Sequence, residues 1–360
     1  MKIVLSGGGT LGPVVPLLAV YDAYKEAYPE TEFVWVGTRK GPEREMITKR
    51  GIKYRAIFTA KWRRYFSLRN LHDLFKFGFI FFHSLFFLIK ERPDILISAG
   101  GFVSVPVHFA GKILGIPSWV HQQDVRPGLA NRLMSHVATK VTVAINESLQ
   151  YFPKNKSEWI GNPVRDLKIE DKEQAKRKMG INDSEPVIFA LGGGTGSFKV
   201  NKMILEAMNH WPKSWHIIHL VGKERPDDMA KTALKFFSNY KMSKFFDEEM
   251  KYAYASADLV ISRAGFGTIT ELALLSKPAI LLPISDSHQL ENALYLAQKN
   301  AVLLMNEIWD NGLKLSKTVQ ELIENKNKCQ KLGERLHVVL PTTKNEKIIS
   351  LINEIAATQK

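Results

Sequence analysis

The sequence predicts an α/β protein made of two doubly wound halves, each a parallel sheet covered by helices. Three observations carry this prediction. The chain has 360 residues, a length that favours two domains over one. Short apolar runs alternate with amphipathic stretches from end to end, the pattern of strands joined by crossover helices. The alternation breaks once, at Gly161-Asn162-Pro163-Val164-Arg165, and then restarts.

In the first half, strands are expected at Lys2–Leu5, Glu32–Val36, Lys53–Ile57, Ile95–Ser98, Ser118–His121 and Lys140–Val143, with helices such as Pro16–Ala27 and Leu129–Val137 between them. After the break comes a charged helix, Ile169–Met179. Strands then follow at Val187–Leu191, His216–Leu220, Leu259–Ile261, Ala279–Leu282 and Val302–Leu304. The expected domains are 1–163 and 164–340. The segment 341–360 carries a last helix, about Lys344–Ala357, that is able to pack on either half.

With 45% apolar and 24% charged residues the composition is that of a soluble globular chain. The single cysteine, Cys329, excludes an internal disulfide and suits a reducing compartment. The apolar part of the N-terminus, Ile3-Val4-Leu5, is too short for a signal-peptide core and reads as a first buried strand. The net charge of +14 points to nucleic acid, an anionic membrane surface or anionic small molecules. Nucleic acid is the weakest of these: there is no zinc-finger spacing and no aromatic RNA-binding signature, and the lysines are spread along the chain.

The most unusual stretch is Leu74–Ile89, which places seven phenylalanines on one helix, among them Phe75, Phe79, Phe82 and Phe86. It is too short and interrupted for a membrane span, which needs about 20 mostly apolar residues. Lys61, Arg63, Arg64, Arg69, Lys90 and Arg92 flank it. An apolar face with a basic rim is the pattern of a helix lying in a membrane interface; the competing reading is a core helix with a Phe-rich face.

Three glycine-rich loops each follow an expected strand: Gly7-Gly8-Gly9-Thr10-Leu11-Gly12, Gly100-Gly101-Phe102-Val103-Ser104 and Gly192-Gly193-Gly194-Thr195-Gly196-Ser197. Glycine at a strand-to-helix turn lets backbone N–H groups approach a phosphate, and the helix N-terminus adds a favourable dipole. A single such loop is as well explained by a tight turn; three at strand carboxyl ends, spread over both halves, predict a shared cleft for a phosphate-bearing ligand. Gly7, Gly9 and Gly12 fit the dinucleotide pattern, but the next strand ends Val36-Gly37-Thr38-Arg39 with no ribose-binding acid, so a dinucleotide site there is discounted.

The second half offers the better nucleotide site. Ser262-Arg263-Ala264-Gly265-Phe266-Gly267-Thr268 leads into a helix whose early turns hold Glu271, a carboxylate able to accept two ribose hydroxyls or simply to favour the helix dipole. His288, Gln289 and Asn292 follow the next strand, where they could read sugar hydroxyls or form a surface turn and cap. Arg165, at the junction, could reach a pyrophosphate or form an ordinary ion pair.

Together these residues resemble glycosyltransferase family 28, and within it the peptidoglycan enzymes that add N-acetylglucosamine to the lipid-linked muramyl-pentapeptide precursor. The likeness covers nearly the whole chain. It runs through the opening Gly-Gly-Thr loop with Pro16, Gly100–Ser104, His121-Gln122-Gln123-Asp124 and Gly128-Leu129-Ala130-Asn131. It continues through Gly161–Arg165, Gly192–Gly196, Arg263–Glu271 and His288-Gln289 with Asn292-Ala293. The resemblance implies a GT-B fold, two Rossmann-like domains facing a central cleft. It implies a UDP-N-acetylglucosamine site with Thr10, Gly12, Arg165, Gly194, Thr195, Gly265, Glu271, His288, Gln289 and Asn292, where Glu271 takes the ribose. Gly100, Gly101 and Ser104 would lie on the acceptor side. It further implies an undecaprenyl-linked acceptor and a peripheral position on the cytoplasmic face of the cell membrane, bound through the apolar patch of the first domain.

The chain departs from the family at two places. Where the family's first loop has Gly-Gly-Thr-Gly-Gly-His, this chain has Gly8-Gly9-Thr10-Leu11-Gly12-Pro13, and proline cannot shuttle a proton. Where the family has His-Glu-Gln-Asn, this chain has His121-Gln122-Gln123-Asp124. The expected reaction is an inverting transfer with Asp124 as base and His121 or His108 as alternatives. Neither a cofactor nor a metal is demanded, because no Asp-x-Asp pair stands near the donor loops. The rival readings are a transferase with the same donor but another acceptor, an epimerase of the same sugar nucleotide, and a donor-binding protein without catalysis.

Overall fold

The computed structural model describes the backbone of residues 1–57, 69–167, 169 and 171–359, and the side chains of these residues other than 69–77 and 359. Two compact units divide the chain: Met1–Arg165 with Thr342–Lys360, and Asp166–Pro341.

The first unit runs β1 (Lys2–Ser6), α1 (Val14–Ala27), β2 (Glu32–Gly37), α2 (Glu43–Lys49), β3 (Lys53–Ala56), α3 (Arg69–Glu91), β4 (Ile95–Ser98), α4 (Ser104–Ile113), β5 (Ser118–Gln122), α5 (Leu129–Val137), β6 (Lys140–Val143) and β7 (Ser157–Trp159). Its strands form one parallel sheet in the order β3-β2-β1-β4-β5-β6-β7. The second unit runs α6 (Lys172–Lys178), β8 (Val187–Leu191), α7 (Phe198–Met208), β9 (His216–Leu220), α8 (Asp228–Ala233), β10 (Tyr240–Ser243), α9 (Glu249–Ser256), β11 (Leu259–Ser262), α10 (Phe266–Leu274), β12 (Ala279–Leu281), α11 (His288–Gln298), β13 (Leu303–Leu304), α12 (Gly312–Glu324) and α13 (Lys326–Val339). Its sheet is also parallel, in the order β10-β9-β8-β11-β12-β13. Central strands such as Ile95-Leu96-Ile97-Ser98 and Val187–Leu191 are buried along their whole length, because helices cover both faces of a parallel sheet.

β7, Ser157-Glu158-Trp159, and β10, Tyr240-Lys241-Met242-Ser243, lack any apolar run and are not among the expected strands; β3, Lys53-Tyr54-Arg55-Ala56, is equally polar. All three are edge strands, half covered, so packing does not impose an apolar sequence on them. The charged helix α6 starts later than its periodicity suggests. Asp171 stands before it and accepts the Glu173 N–H at 2.9 Å, which caps the helix at Lys172.

The chain returns to the first unit in α14 (Asn345–Ala356). Ile348, Leu351, Ile352 and Ile355 recur at helical spacing and are all buried in the core of that unit. At about 1.5–3 kcal/mol for each fully buried side chain, this stripe is ample to hold the helix. Tyr24 on α1 donates to Asn353 Oδ1 at 2.7 Å. The return is guided by a bridge between Asn162 and Thr342, where the Thr343 N–H reaches Asn162 O at 3.0 Å.

Asn162 also ends a buried chain of hydrogen bonds. Trp119 Nε1–H donates to Thr142 Oγ1 (2.7 Å), Thr142 donates to His121 Nδ1 (2.8 Å), and His121 Nε2–H donates to Asn162 Oδ1 (2.8 Å). Burial with no carboxylate partner among the described residues keeps His121 a neutral imidazole, and with Nε2–H given to Asn162 its Nδ1 is left to accept from Thr142. Burial pushes its pKa down to about 4, with the Asn162 bond opposing. Burial likewise pushes His108, and His219 in the second unit, down to about 3. These histidines fold neutral and regain an ordinary value near 6.5 on unfolding. Their contribution is therefore complete above about pH 6.5 and is lost as the pH falls toward 4, where the unfolded chain binds more protons. Denaturation followed between pH 7 and pH 5 should show stability falling by up to about 1.4 kcal/mol per pH unit for each histidine. A flat profile over that interval would contradict the neutral assignment.

Candidate functional site

In both sheets the strand order reverses once, between β1 and β4 in the first unit and between β8 and β11 in the second. Chains leaving two such strands turn to opposite faces and open a crevice at the carboxyl edge, where ligands of doubly wound sheets bind. All three glycine-rich loops, and the Arg263–Gly265 turn, leave one of these four strands.

In the second unit, β8, β11 and β12 are neighbours, so α7, α10 and α11 start side by side. Gly193 has φ +85° and open space where a side chain would stand, and Gly265 is equally open. Gly194 and Thr195 are exposed. Gly196 (φ +79°) and Gly222 (φ +96°) are packed backbone on backbone, so a Cβ on either would strike the other loop. The Ser197 hydroxyl caps α7 by accepting the Val200 N–H at 3.4 Å. Glu271 is buried on α10, and the Tyr254 hydroxyl donates to its Oε2 at 2.9 Å, which fixes the carboxylate. His288 and Gln289 open α11 behind the Ser287 cap; His288 is exposed and Asn292 buried. The second unit thus gathers Gly194, Thr195, Gly265, Glu271, His288, Gln289 and Asn292 at one sheet edge.

Thr10, Gly12 and Arg165 belong to the first unit, Arg165 as its last residue before the crossing. There the two glycine loops touch: a Cβ on Gly101 would stand 3.0 Å from Gly8 O and 3.2 Å from Gly8 N. Gly101 (φ +93°) must therefore be glycine for both space and backbone. Ser104 donates to Gly100 O at 3.1 Å and so closes the start of α4 rather than facing outward. Gln123 reaches Gly12 O at 3.1 Å, and Asn131 donates to His121 O (3.1 Å) and Gln122 Oε1 (2.6 Å). Gln123 Oε1 and Asn131 Oδ1 are buried acceptors with no partner among the described residues. Asp124 is half-buried at the mouth of this group.

The histidines expected as alternative bases are both buried inside the first unit, away from solvent. His121 has both ring nitrogens engaged inside the unit. His108 is fully buried, with Nε2 at 3.3 Å from Ser6 Oγ.

Residues 3–143 match the model of the glycosyltransferase family 28 N-terminal domain, and residues 187–347 match that of the family 28 C-terminal domain. The chain belongs to glycosyltransferase family 28. It is 36% identical over 332 residues to a Clostridium perfringens protein named UDP-N-acetylglucosamine--N-acetylmuramyl-(pentapeptide) pyrophosphoryl-undecaprenol N-acetylglucosamine transferase, with 91% of each chain covered. A Staphylococcus aureus protein of the same name is 36% identical over 343 residues, covering 93% of this chain and 92% of that one. Among solved structures, Acinetobacter baumannii MurG superposes with a TM-score of 0.77 at 23% identity, covering 98% of this chain and 99% of that one. A Neisseria meningitidis UDP-GlcNAc 2-epimerase bound to UDP-GlcNAc superposes at 0.69 and 17% identity, over 98% of this chain and 100% of that one, a likeness of fold. The chain is thus a glycosyltransferase of GT-B architecture.

As a family 28 chain it carries two positioning residues that its motifs do not announce. Glu43, fully buried, accepts the Thr38 N–H (2.7 Å), the Thr38 hydroxyl (2.6 Å) and the Gly9 N–H (3.2 Å). Tyr54 donates to Thr38 O at 2.6 Å beside it. The acid missing from the end of β2 is thus supplied from α2, and it occupies the Gly9 N–H that a phosphate would use. In the second unit, buried Arg263 donates to Ser197 Oγ (2.6 Å) and Leu282 O (2.7 Å) and lies 2.6 Å from Glu307 as an ion pair outside hydrogen-bond angles. It ties the start of α7 to the ends of β11 and β12. A strand-end arginine is visible in the sequence; its inward direction is not.

On α3, Ile80, Ser84, Leu88 and Glu91 face the sheet, while Phe79, Phe82 and Phe86 are 62%, 59% and 72% exposed on the opposite side. Phe75 and the basic Lys61, Arg63, Arg64 and Arg69 lie outside the described side chains. No helix among the described residues is long and apolar enough to cross a membrane. Nor do the described residues include a group of three or more metal-ligating side chains.

Replacing Glu43 by Gln keeps the shape but turns one acceptor into a donor facing the Thr38 N–H. Loosening of the first loop should cost about 1.5–3 kcal/mol of stability, read in denaturant melts, with slower transfer and little change in donor affinity. An unchanged melting midpoint would refute the role.

Proposed function

We propose that the chain moves N-acetylglucosamine from UDP-N-acetylglucosamine to the lipid-linked N-acetylmuramyl-pentapeptide of peptidoglycan synthesis. The observation that carries this reading is 36% identity to transferases of that name over 91% of both chains. The open glycine loops of the second unit supply a matching donor site.

In this reading the acceptor hydroxyl attacks the anomeric carbon from the face opposite the diphosphate. A bond forms from the acceptor oxygen to that carbon as the bond to the β-phosphate oxygen breaks. The hydroxyl proton passes to Asp124, and UDP leaves with inversion. Negative charge grows on the diphosphate, and the N-termini of α7 and α10 present backbone N–H groups and positive dipole ends to it. Gly194, Thr195 and Gly265 of the second unit line this position; Thr10, Gly12 and Arg165 of the first unit are the further donor-binding residues of this reading. Glu271, held by Tyr254, accepts the ribose hydroxyls. His288, Gln289 and Asn292 read the sugar and diphosphate. Gly100, Gly101 and Ser104 shape the acceptor side, where the buried oxygens of Gln123 and Asn131 are able to receive acceptor N–H or O–H groups. The reaction proceeds without a cofactor or a required metal. The exposed phenylalanines of α3 seat the enzyme on the cytoplasmic face of the membrane, where its undecaprenyl-linked acceptor resides.

The deciding measurement is transfer of radiolabel from UDP-N-acetylglucosamine to the purified lipid acceptor in detergent. Label that stays in water-soluble sugar, or epimerised sugar nucleotide, would refute the reading. With transfer established, Glu271→Gln should raise the donor KM about 10–100-fold, the loss of one or two hydrogen bonds to a charged group. Asp124→Asn should lower kcat about 10²–10⁴-fold at saturating substrates with the donor KM kept; an unchanged chemical step would remove Asp124 as the base.

A further inference from the structure

A second surface also carries the marks of a membrane contact, this one on the second unit. Trp309 is 82% exposed, and no large apolar side chain among the described residues is more so. Ile308, Phe198 and Leu313 around it are 54%, 53% and 48% exposed. The Lys199–Glu307 ion pair, 3.8 Å, sets the loop that carries Trp309 beside the first turn of α7, which carries Phe198.

This loop is ordered. Asn306 Oδ1 accepts the N–H groups of Ile308 (2.8 Å) and Trp309 (3.3 Å). Asp310 Oδ2 accepts the Asn306 N–H (2.8 Å), and the Asp310 N–H returns to Asn306 O at 3.0 Å. Glu307 anchors its middle to buried Arg263. The indole is therefore held out in water by a built turn. An exposed aromatic on a fixed loop leaves apolar area in water that a contact would bury.

Charge selects the partner. Lys199 and Lys202 on α7 and Lys314 and Lys317 on α12 stand around the apolar tips, all exposed. Three of these lysines stand in ion pairs, Lys199 with Glu307, Lys202 with Glu206 and Lys314 with Asp310, and Glu307 also meets Arg263; with Lys317, five cations face three carboxylates, so the rim stays net positive. Indole and lysine together suit the headgroup layer of an anionic bilayer, where the ring sits at the polar boundary and ammonium groups meet lipid phosphates.

We propose that Trp309, Ile308, Phe198 and Leu313 with their lysine rim form an interfacial contact of the second unit with an anionic lipid surface. The inference rests on the peripheral membrane reading above and adds to the α3 patch a second point of attachment, next to the donor loops. The test is flotation of the full chain with phosphatidylglycerol–phosphatidylcholine vesicles. Trp309→Ser with Ile308→Ser should weaken partitioning several-fold, and Lys199→Glu with Lys317→Glu about fivefold or more per lysine, an effect that salt removes. Brominated lipid should quench wild-type fluorescence more than that of Trp309→Phe. If Phe79→Ser with Phe82→Ser and Phe86→Ser abolishes binding while the Trp309 variants bind as wild type, this inference is overturned and the peripheral reading stands. If wild type itself does not float, both fail. A wild-type dimer in sedimentation equilibrium that Trp309→Ser dissociates would assign the face to self-association and also overturn the proposal.

Discussion

The molecule depends on close approach of backbone to backbone at the carboxyl edge of each sheet. Gly101 lies against Gly8 in one unit, and Gly196 against Gly222 in the other. A side chain at Gly101, Gly196 or Gly222 would separate loops that leave strands of the same sheet, and one at Gly8 would strike Glu43. The carboxyl edge is therefore crowded in its structural turns and open at Gly193 and Gly265, where a side chain would meet nothing. The same residue type serves opposite ends: it closes the scaffold in one place and exposes N–H groups in the next.

Buried charges then hold these loops still. Glu43 gathers three donors from the first loop and the end of β2, and Arg263 joins the ends of β11 and β12 to the start of α7. Each is out of water, so its worth lies in full satisfaction by fixed partners; removing one partner leaves a buried charge exposed to a poor environment. Each is thus a positioning group for the glycine loops of its own unit, whose open turns expose mostly backbone. Such a surface is preorganised, because its N–H groups are held in place by the fold and need no rearrangement of side chains.

The histidines show how one residue type divides by burial. His108, His121 and His219 are neutral parts of buried networks, while His288 stands in water at the start of α11. Apolar residues divide in the same way. Ile80 and Leu88 of α3 complete the core of the first unit, and Phe79, Phe82 and Phe86 of the same helix have no core to enter. Exposed aromatics therefore mark places where the fold has finished and a further surface is called for.

The sequence by itself determined the two doubly wound units, because apolar runs the length of a strand between helical periods leave few other ways to bury the chain. It also determined the glycine loops and the polar groups after β11 and β12, since those residue types have a backbone or hydrogen-bonding reason to stand at strand ends. The edge strands β7 and β10 escaped it, because half-covered strands need no apolar pattern. Only the tertiary structure decided direction: that His121 is locked between Thr142 and Asn162, that Arg263 turns inward, that Glu43 reaches back to Gly9, and that Trp309 is held outward. Each of these depends on partners far apart in the chain, and no local pattern records a partner that only folding brings near.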